Sequence, residues 1–233
     1  AEHQDMTTPR TPAGETIDPA LPGAARAGGE PAALPAHTLG RADFDVIAGW
    51  VEPGHRVLDL GCGDGSLLKR LIETRGIQGW GIEIDDANVL AAIGNGVNVI
   101  QSNLENGLAD FADGAFDHVV LSRTLQTVRH TEDILREMLR VGREAVVSFP
   151  NFAYWKNLRS VLNGRMPVSE DLPYQWYDSP NVRFFTLLDF EDLCARMGLV
   201  IRERHVLDEE GNPVEDEVNF LGSLAVYRLT LNR

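Results

Sequence analysis

The chain has 233 residues, 43% of them hydrophobic, and carries a formal charge of −14 from 21 Lys and Arg against 35 Asp and Glu. Its length suits one α/β domain with a substantial core. Its negative field, unbroken by any Lys/Arg run, repels nucleic-acid phosphates. Two isolated cysteines among the 233 residues supply neither a disulfide framework nor a zinc site. No apolar run approaches the roughly 18 residues of a membrane span. The acidic start Ala1–Asp5 is not followed by an apolar h-region. The expectation is a cytoplasmic protein with no metal, no membrane and no nucleic acid among its partners.

Residues 1–37 are rich in Ala, Pro, Gly and Thr, show no helical or strand period, and are expected to form a flexible N-terminal extension. The remaining residues, 38–233, form the folded domain. Phe44, Ile47, Ala48 and Val51 follow helical spacing and run into the stop Pro53-Gly54. Alternating units come next: strand 56–59, helix 66–74, strand 78–83, a short helix 86–93 and strand 97–101. Strand 116–121 follows the Asp113-Gly114 turn, helix 131–141 is amphipathic, and strand 145–149 closes at Pro150. Helix 152–163, an irregular stretch 164–181 and helix 187–197 precede two last strands, 200–207 and 224–231, joined through the acidic turn Asp208–Pro213. Alternation of this kind predicts a doubly wound, mostly parallel seven-stranded sheet with helices on both faces.

The chemistry concentrates at Val57-Leu58-Asp59-Leu60-Gly61-Cys62-Gly63-Asp64-Gly65. An apolar strand runs through an acid into three alternate glycines and then into a helix start, where unpaired N–H groups collect. A dinucleotide fingerprint would need its third glycine at position 66, which is Ser66, and a P-loop would need a lysine between Gly65 and Ser66. The loop carries no cation, while Asp59, Asp64 and Glu83 surround it. A ligand with positive charge and hydroxyls but no phosphate fits, and S-adenosylmethionine is such a molecule. Glu83, ending the second strand, is placed to accept from ribose hydroxyls, and Asp59 to orient the turn and face the amino-acid end. Cys62 reads as a small residue filling the turn.

Val57–Gly65 resembles motif I of class I S-adenosylmethionine-dependent methyltransferases, whose fold is Rossmann-like, and Gly81–Asp85 resembles their ribose-binding strand end. Ser102-Asn103-Leu104-Glu105 is similar to the stretch where they place an acid beside adenine, with Asn103 here instead. The stretches Ser122–Gln126, Ser148–Phe152, Trp155–Asn157, Asn163–Val168, Leu172–Tyr177 and Phe190–Cys194 further resemble the MetW family of methionine biosynthesis proteins. That resemblance covers roughly residues 40–207 and leaves the last strand outside. It implies S-adenosylmethionine or S-adenosylhomocysteine as cofactor, held by Asp59, Gly61, Cys62, Gly63, Gly65, Glu83, Ile84, Asn103, Leu104 and Ser122. It also implies a role in methionine biosynthesis supporting a homoserine O-acyltransferase.

Small-molecule methyl transfer to an unknown acceptor is the alternative reading, and the sequence names no catalytic residue. Arg123 and Gln126 either hold a substrate carboxylate or bond loop carbonyls. No Asn/Asp-Pro-Pro-aromatic element follows the fourth strand, which argues against amino methylation of DNA. His130 and His205 read as structural. Tyr154, Trp155, Tyr174, Trp176, Tyr177, Phe184 and Phe185 mark an aromatic-rich insertion around 152–186. Core packing is favoured for each of them, with a protein interface as the other use.

Overall fold

The computed structural model describes residues 41–106 and 108–232, so the expected extension 1–37 lies outside the described residues. Seven strands alternate with helices: α1 Ala42–Trp50, β1 Arg56–Leu60, α2 Ser66–Arg75, β2 Gln78–Glu83, α3 Asp86–Gly94, β3 Asn98–Gln101, β4 Phe116–Ser122 and α4 Thr131–Val141. Then come β5 Gly142–Pro150, α5 Trp155–Leu162, α6 Leu187–Met197, β6 Leu199–Leu207, α7 Val218–Leu221 and β7 Leu224–Leu231. The sheet order is β3-β2-β1-β4-β5-β7-β6. The first five strands pair in parallel, and β7 lies antiparallel between β5 and β6. The chain therefore winds outward from β1 in one direction and from β4 in the other. A crevice opens at the carboxyl ends of β1 and β4, where ligands of open α/β sheets bind.

Strand alternation divides the core. Leu58, Leu60, Val119, Leu121, Val147 and Phe149 face α4 and α6 on one side, while Val57, Val120, Val146 and Val226 face α1 and α2 on the other. Phe149 stacks on Tyr227 with ring centroids 5.6 Å apart and 6° between planes, and Phe190 meets both rings at 4.8 and 4.9 Å. This aromatic group fixes α6 to the sheet. At the start of α6, the Thr186 hydroxyl accepts from Asp189 N and the Asp189 carboxylate accepts from Thr186 N, closing a capping box. Gly198, at φ 70°, ends the helix in the left-handed region.

Four expectations shift. Helix 152–163 shortens to α5 because Asn151 holds the preceding turn: its Nδ2 donates to Asn219 O and Gly222 O at 2.9 and 2.8 Å, and its Oδ1 accepts from Ala153 N at 3.1 Å. Strand 145–149 begins at Gly142, where α4 passes directly into pairing with Phe116. The link between the last strands is longer than the acidic turn and includes α7. The aromatics also divide. Tyr154 is buried, but Trp176 and Tyr177 are 75% and 71% exposed and pack edge-on against each other. For those two, and for Phe184 at 50% exposure, core packing is corrected: their stretch has no helix or strand to carry them onto the sheet, and Pro173 and Pro180 interrupt any ladder.

Candidate cofactor-binding site

The turn after β1 is built on backbone conformation. Gly61, Gly63 and Gly65 have φ of 71°, 55° and 75°, in the region that side chains disfavour. Gly61 N and Cys62 N both donate to Ile82 O, at 2.8 and 3.0 Å, which ties the turn to β2. Asp64 serves the helix start: its Oδ1 accepts from Ser66 N at 3.0 Å and Ser66 Oγ at 2.6 Å. Cys62 is buried against Gly81, where an added Cβ would lie 2.3 Å from its Sγ. Burial pushes the Cys62 thiol up to about 12, with Asp59 and Glu83 adding to the effect, so it is a protonated filler of the turn.

Glu83 links the two signature stretches. Its Oε2 accepts from Gly63 N at 2.8 Å, and its Oε1 accepts from Ile84 N and Asp85 N at 2.8 and 2.9 Å. A carboxylate oxygen has two lone-pair sites, so Oε2 retains one acceptor position. Beside it lies a cavity of about 220 Å³ walled by Gly61, Ile82, Glu83, Ile84, Ser102, Asn103, Leu104, Arg123, Thr124 and Thr127. Among the site residues expected from sequence, Gly61, Glu83, Ile84, Asn103, Leu104 and Arg123 are thus brought together. Gly63, Gly65 and Cys62 shape the turn without forming walls. Asn103 Oδ1 accepts from Glu105 N at 2.9 Å, an Asx turn that starts the short 3₁₀ segment Leu104–Asn106.

Asp59 is not a wall of the cavity. It is 2% exposed, and its Oδ1 has no hydrogen-bond partner among the described residues. Burial raises its pKa to about 7; Arg41 opposes the rise, while Glu83 and Asp43 reinforce it. Asp43 shows the opposite balance. Burial alone would raise it, but Arg41 binds it through two 2.9 Å hydrogen bonds, Ser122 Oγ donates at 2.8 Å, and Arg123 stands nearby, which together hold it below the usual carboxylate range.

This network captures Ser122, whose hydroxyl also accepts from Arg41 Nη2 at 2.7 Å and lies 3.1 Å from Ser148 Oγ. Arg123 adopts φ 50° and pairs through Nη1 with Asp171 at 3.2 Å, while its Nε has no hydrogen-bond partner among the described residues. Gln126 turns back, its Nε2 donating to Arg123 O at 2.6 Å. Asp43, Ser148, Asp171, Thr124 and Thr127 were missed by sequence reading. Asp43 carried a signal: it stands four residues before Ile47, on the apolar stripe of α1, where a charge demands partners.

A model of the family described as methionine biosynthesis protein MetW matches residues 41–229. The match takes in most of β7, which the sequence resemblance had left out. The chain is 38% identical over 197 residues to the bifunctional methionine biosynthesis protein MetXA/MetW of Rhodopirellula baltica, covering 79% of this chain and 32% of that protein. It is 32% identical over 120 residues to the ubiquinone/menaquinone biosynthesis C-methyltransferase UbiE of Ectopseudomonas mendocina, covering 46% of each. The chain thus spans less than half the length of these relatives.

Two solved structures have the same fold. One is a SAM-dependent methyltransferase from Thermotoga maritima, with TM-score 0.59, 21% identity, and coverage of 81% of this chain and 87% of that one. The other is an S-adenosylmethionine-dependent methyltransferase from Mesorhizobium loti, with TM-score 0.61, 16% identity, and coverage of 82% and 98%. The seven-stranded sheet is therefore that of class I methyltransferases.

Proposed function

The chain belongs to the MetW family of methionine biosynthesis proteins, and on that premise we propose that it binds S-adenosylmethionine or S-adenosylhomocysteine beside Gly61 and Glu83 and supports a homoserine O-acyltransferase. The observation that carries the ligand is Asp59: a carboxylate taken out of water with an unpartnered oxygen beside the glycine turn. Such a group calls for a cation or a proton. An α-ammonium entering beside Gly61 answers it, and the turn carries no lysine to meet a polyphosphate.

The remaining residues fit the same molecule. Glu83 Oε2 offers its free acceptor position to ribose hydroxyls, and Ile84, apolar and 61% exposed at the cavity edge, gains cover from an adenine face. Arg123 is the cation among the cavity walls; its Nε lies 3.8 Å from the Asp43 carboxylate and its Nη1 3.2 Å from Asp171, and the guanidinium as a whole gives the cavity a positive group suited to the ligand carboxylate. When bound, S-adenosylmethionine supplies a methyl group already activated by its sulfonium.

The partner reading is supported by the bifunctional relative, in which a MetW-like part and a MetXA part share one chain. Joining two activities keeps them at high effective concentration, an arrangement suited to proteins that act on one another. Mixing this chain with a homoserine O-acyltransferase should raise the acylation rate and alter it further with S-adenosylmethionine. An unchanged rate, with no copurification, rejects the partner role. The alternative, methyl transfer to a small molecule, is favoured by the UbiE likeness alone. Labelled methyl incorporated into a metabolite from S-adenosylmethionine would establish it.

A further inference from the structure

A second and larger cavity, about 460 Å³, lies outside the cofactor site, between the start of α4, residues 182–186 and α6. Its floor is apolar: Leu125 and Phe190 are buried, and Phe185 and Leu193 pack against the same core. Its rim carries three guanidinium groups, on Arg129, Arg183 and Arg196. None of the three is within ion-pair distance of a carboxylate among the described residues.

The acids on the same rim are already engaged. Glu132 and Asp133 both hold Arg136, and Asp189 closes the capping box with Thr186. The last turn of α6 explains a cation at Arg196, where the helix end is negative. It explains neither Arg129 nor Arg183. Arg183 is fixed in place, its Nη2 donating to Arg129 O at 2.6 Å. In a chain of net charge −14, three guanidiniums without carboxylate partners over a phenylalanine floor, matched in number on the rim by Glu132, Asp133 and Asp189, make the groove locally neutral where most of the surface is acidic.

We propose that this groove binds a small organic anion, a carboxylate or phosphate ester whose apolar body lies on Phe185, Phe190 and Leu193 while its charge meets the three arginines. The volume falls within the roughly 300–1,000 Å³ of small-ligand sites, and guanidinium forks suit either anionic head. The groove is separate from the cofactor cavity but shares a partition with it. Thr124 and Thr127 face the cofactor side, and Leu125, between them in the chain, faces the groove.

The test titrates the full chain with 1-naphthyl phosphate by calorimetry, with inorganic phosphate and 1-naphthol as separate probes. Saturable 1:1 binding is expected, at least about tenfold tighter than for either half-probe. The double variant Arg129→Gln/Arg196→Gln and the single variant Arg183→Gln, all at exposed positions, should each weaken it at least about threefold without changing the melting temperature. Glu83→Ala should leave it unchanged, which separates this site from the cofactor reading. Non-saturable binding, equal affinity in the arginine variants, or loss in Glu83→Ala would each overturn the proposal. So would selective capture of an acidic peptide in place of the naphthyl phosphate.

Discussion

Glu83 Oε2 lies 2.8 Å from Gly63 N, so the carboxylate that ends β2 reaches across and anchors the glycine turn that ends β1. Its role is therefore double. It pre-orders the turn, and its Oε2 keeps one acceptor position, which the proposed cofactor's ribose would use.

Glu83→Ala should weaken S-adenosylmethionine binding at least about tenfold, or about 1.4 kcal/mol. Glu83→Gln should recover part of that loss, because its carbonyl oxygen still accepts from a backbone N–H. Calorimetry with both cofactor forms measures it. Equal affinity in wild type and Glu83→Ala would remove the ligand from this cavity.

Asp59 predicts a pH dependence whose sign follows from its raised pKa. The folded value is about 7 and the ordinary value 3.8, so the folded protein binds this proton more tightly than the unfolded chain does. The resulting stability is fully present below the ordinary value and lost as pH rises through about 7. Asp59→Asn should therefore flatten the fall in melting temperature between pH 4 and pH 8, and at pH 8 it should melt at least about 2 °C higher than wild type. The same variant should bind S-adenosylmethionine more weakly at pH 8, because the amide offers the ammonium no charge. Parallel thermal melts and titrations separate the two effects, and identical pH profiles for the two proteins would refute the assignment.

Asp43 predicts the reverse sensitivity. It is fully buried and holds Arg41, Ser122 and Ser148 together. Asp43→Ala leaves a guanidinium and two hydroxyls without their acceptor and should cost about 3–5 kcal/mol in urea unfolding. A loss below about 1 kcal/mol would mean that water replaces the carboxylate without penalty.

The exposed and buried aromatics should separate cleanly in the same assay. Trp176→Ala should change stability by no more than about 0.5 kcal/mol. Phe149→Ala, which removes the ring between Tyr227, Phe185 and Phe190, should cost about 3–5 kcal/mol. A large loss at Trp176 would place that ring in the core after all.

The parts of the fold legible in sequence were those written in local periodicity. Helix 131–141 and strand 78–83 match to the residue, the helix because its apolar positions keep the helical period throughout. The glycine turn was legible because three positive-φ positions leave a pattern in composition. Long-range polar partners left no such trace. Asn151 shortens α5 through carbonyls of Asn219 and Gly222 some 70 positions away, and Ser122 is taken by Asp43, 79 positions upstream. Periodicity reports which face a side chain takes; it is silent about which distant carboxylate meets it there.

The contact between Cys62 and Gly81 carries a consequence for sequence divergence. No Cβ fits at position 81 while a sulfur fills the turn, so a larger residue there requires a smaller one at position 62. Among descendants of this chain, those two columns are expected to change jointly, with Cys62→Gly preceding Gly81→Ala and side chains never paired at both positions, because even the Cys62 Cβ lies 2.9 Å from a Cβ added at 81. A library randomised at both positions and sorted for folded protein would display that exclusion directly.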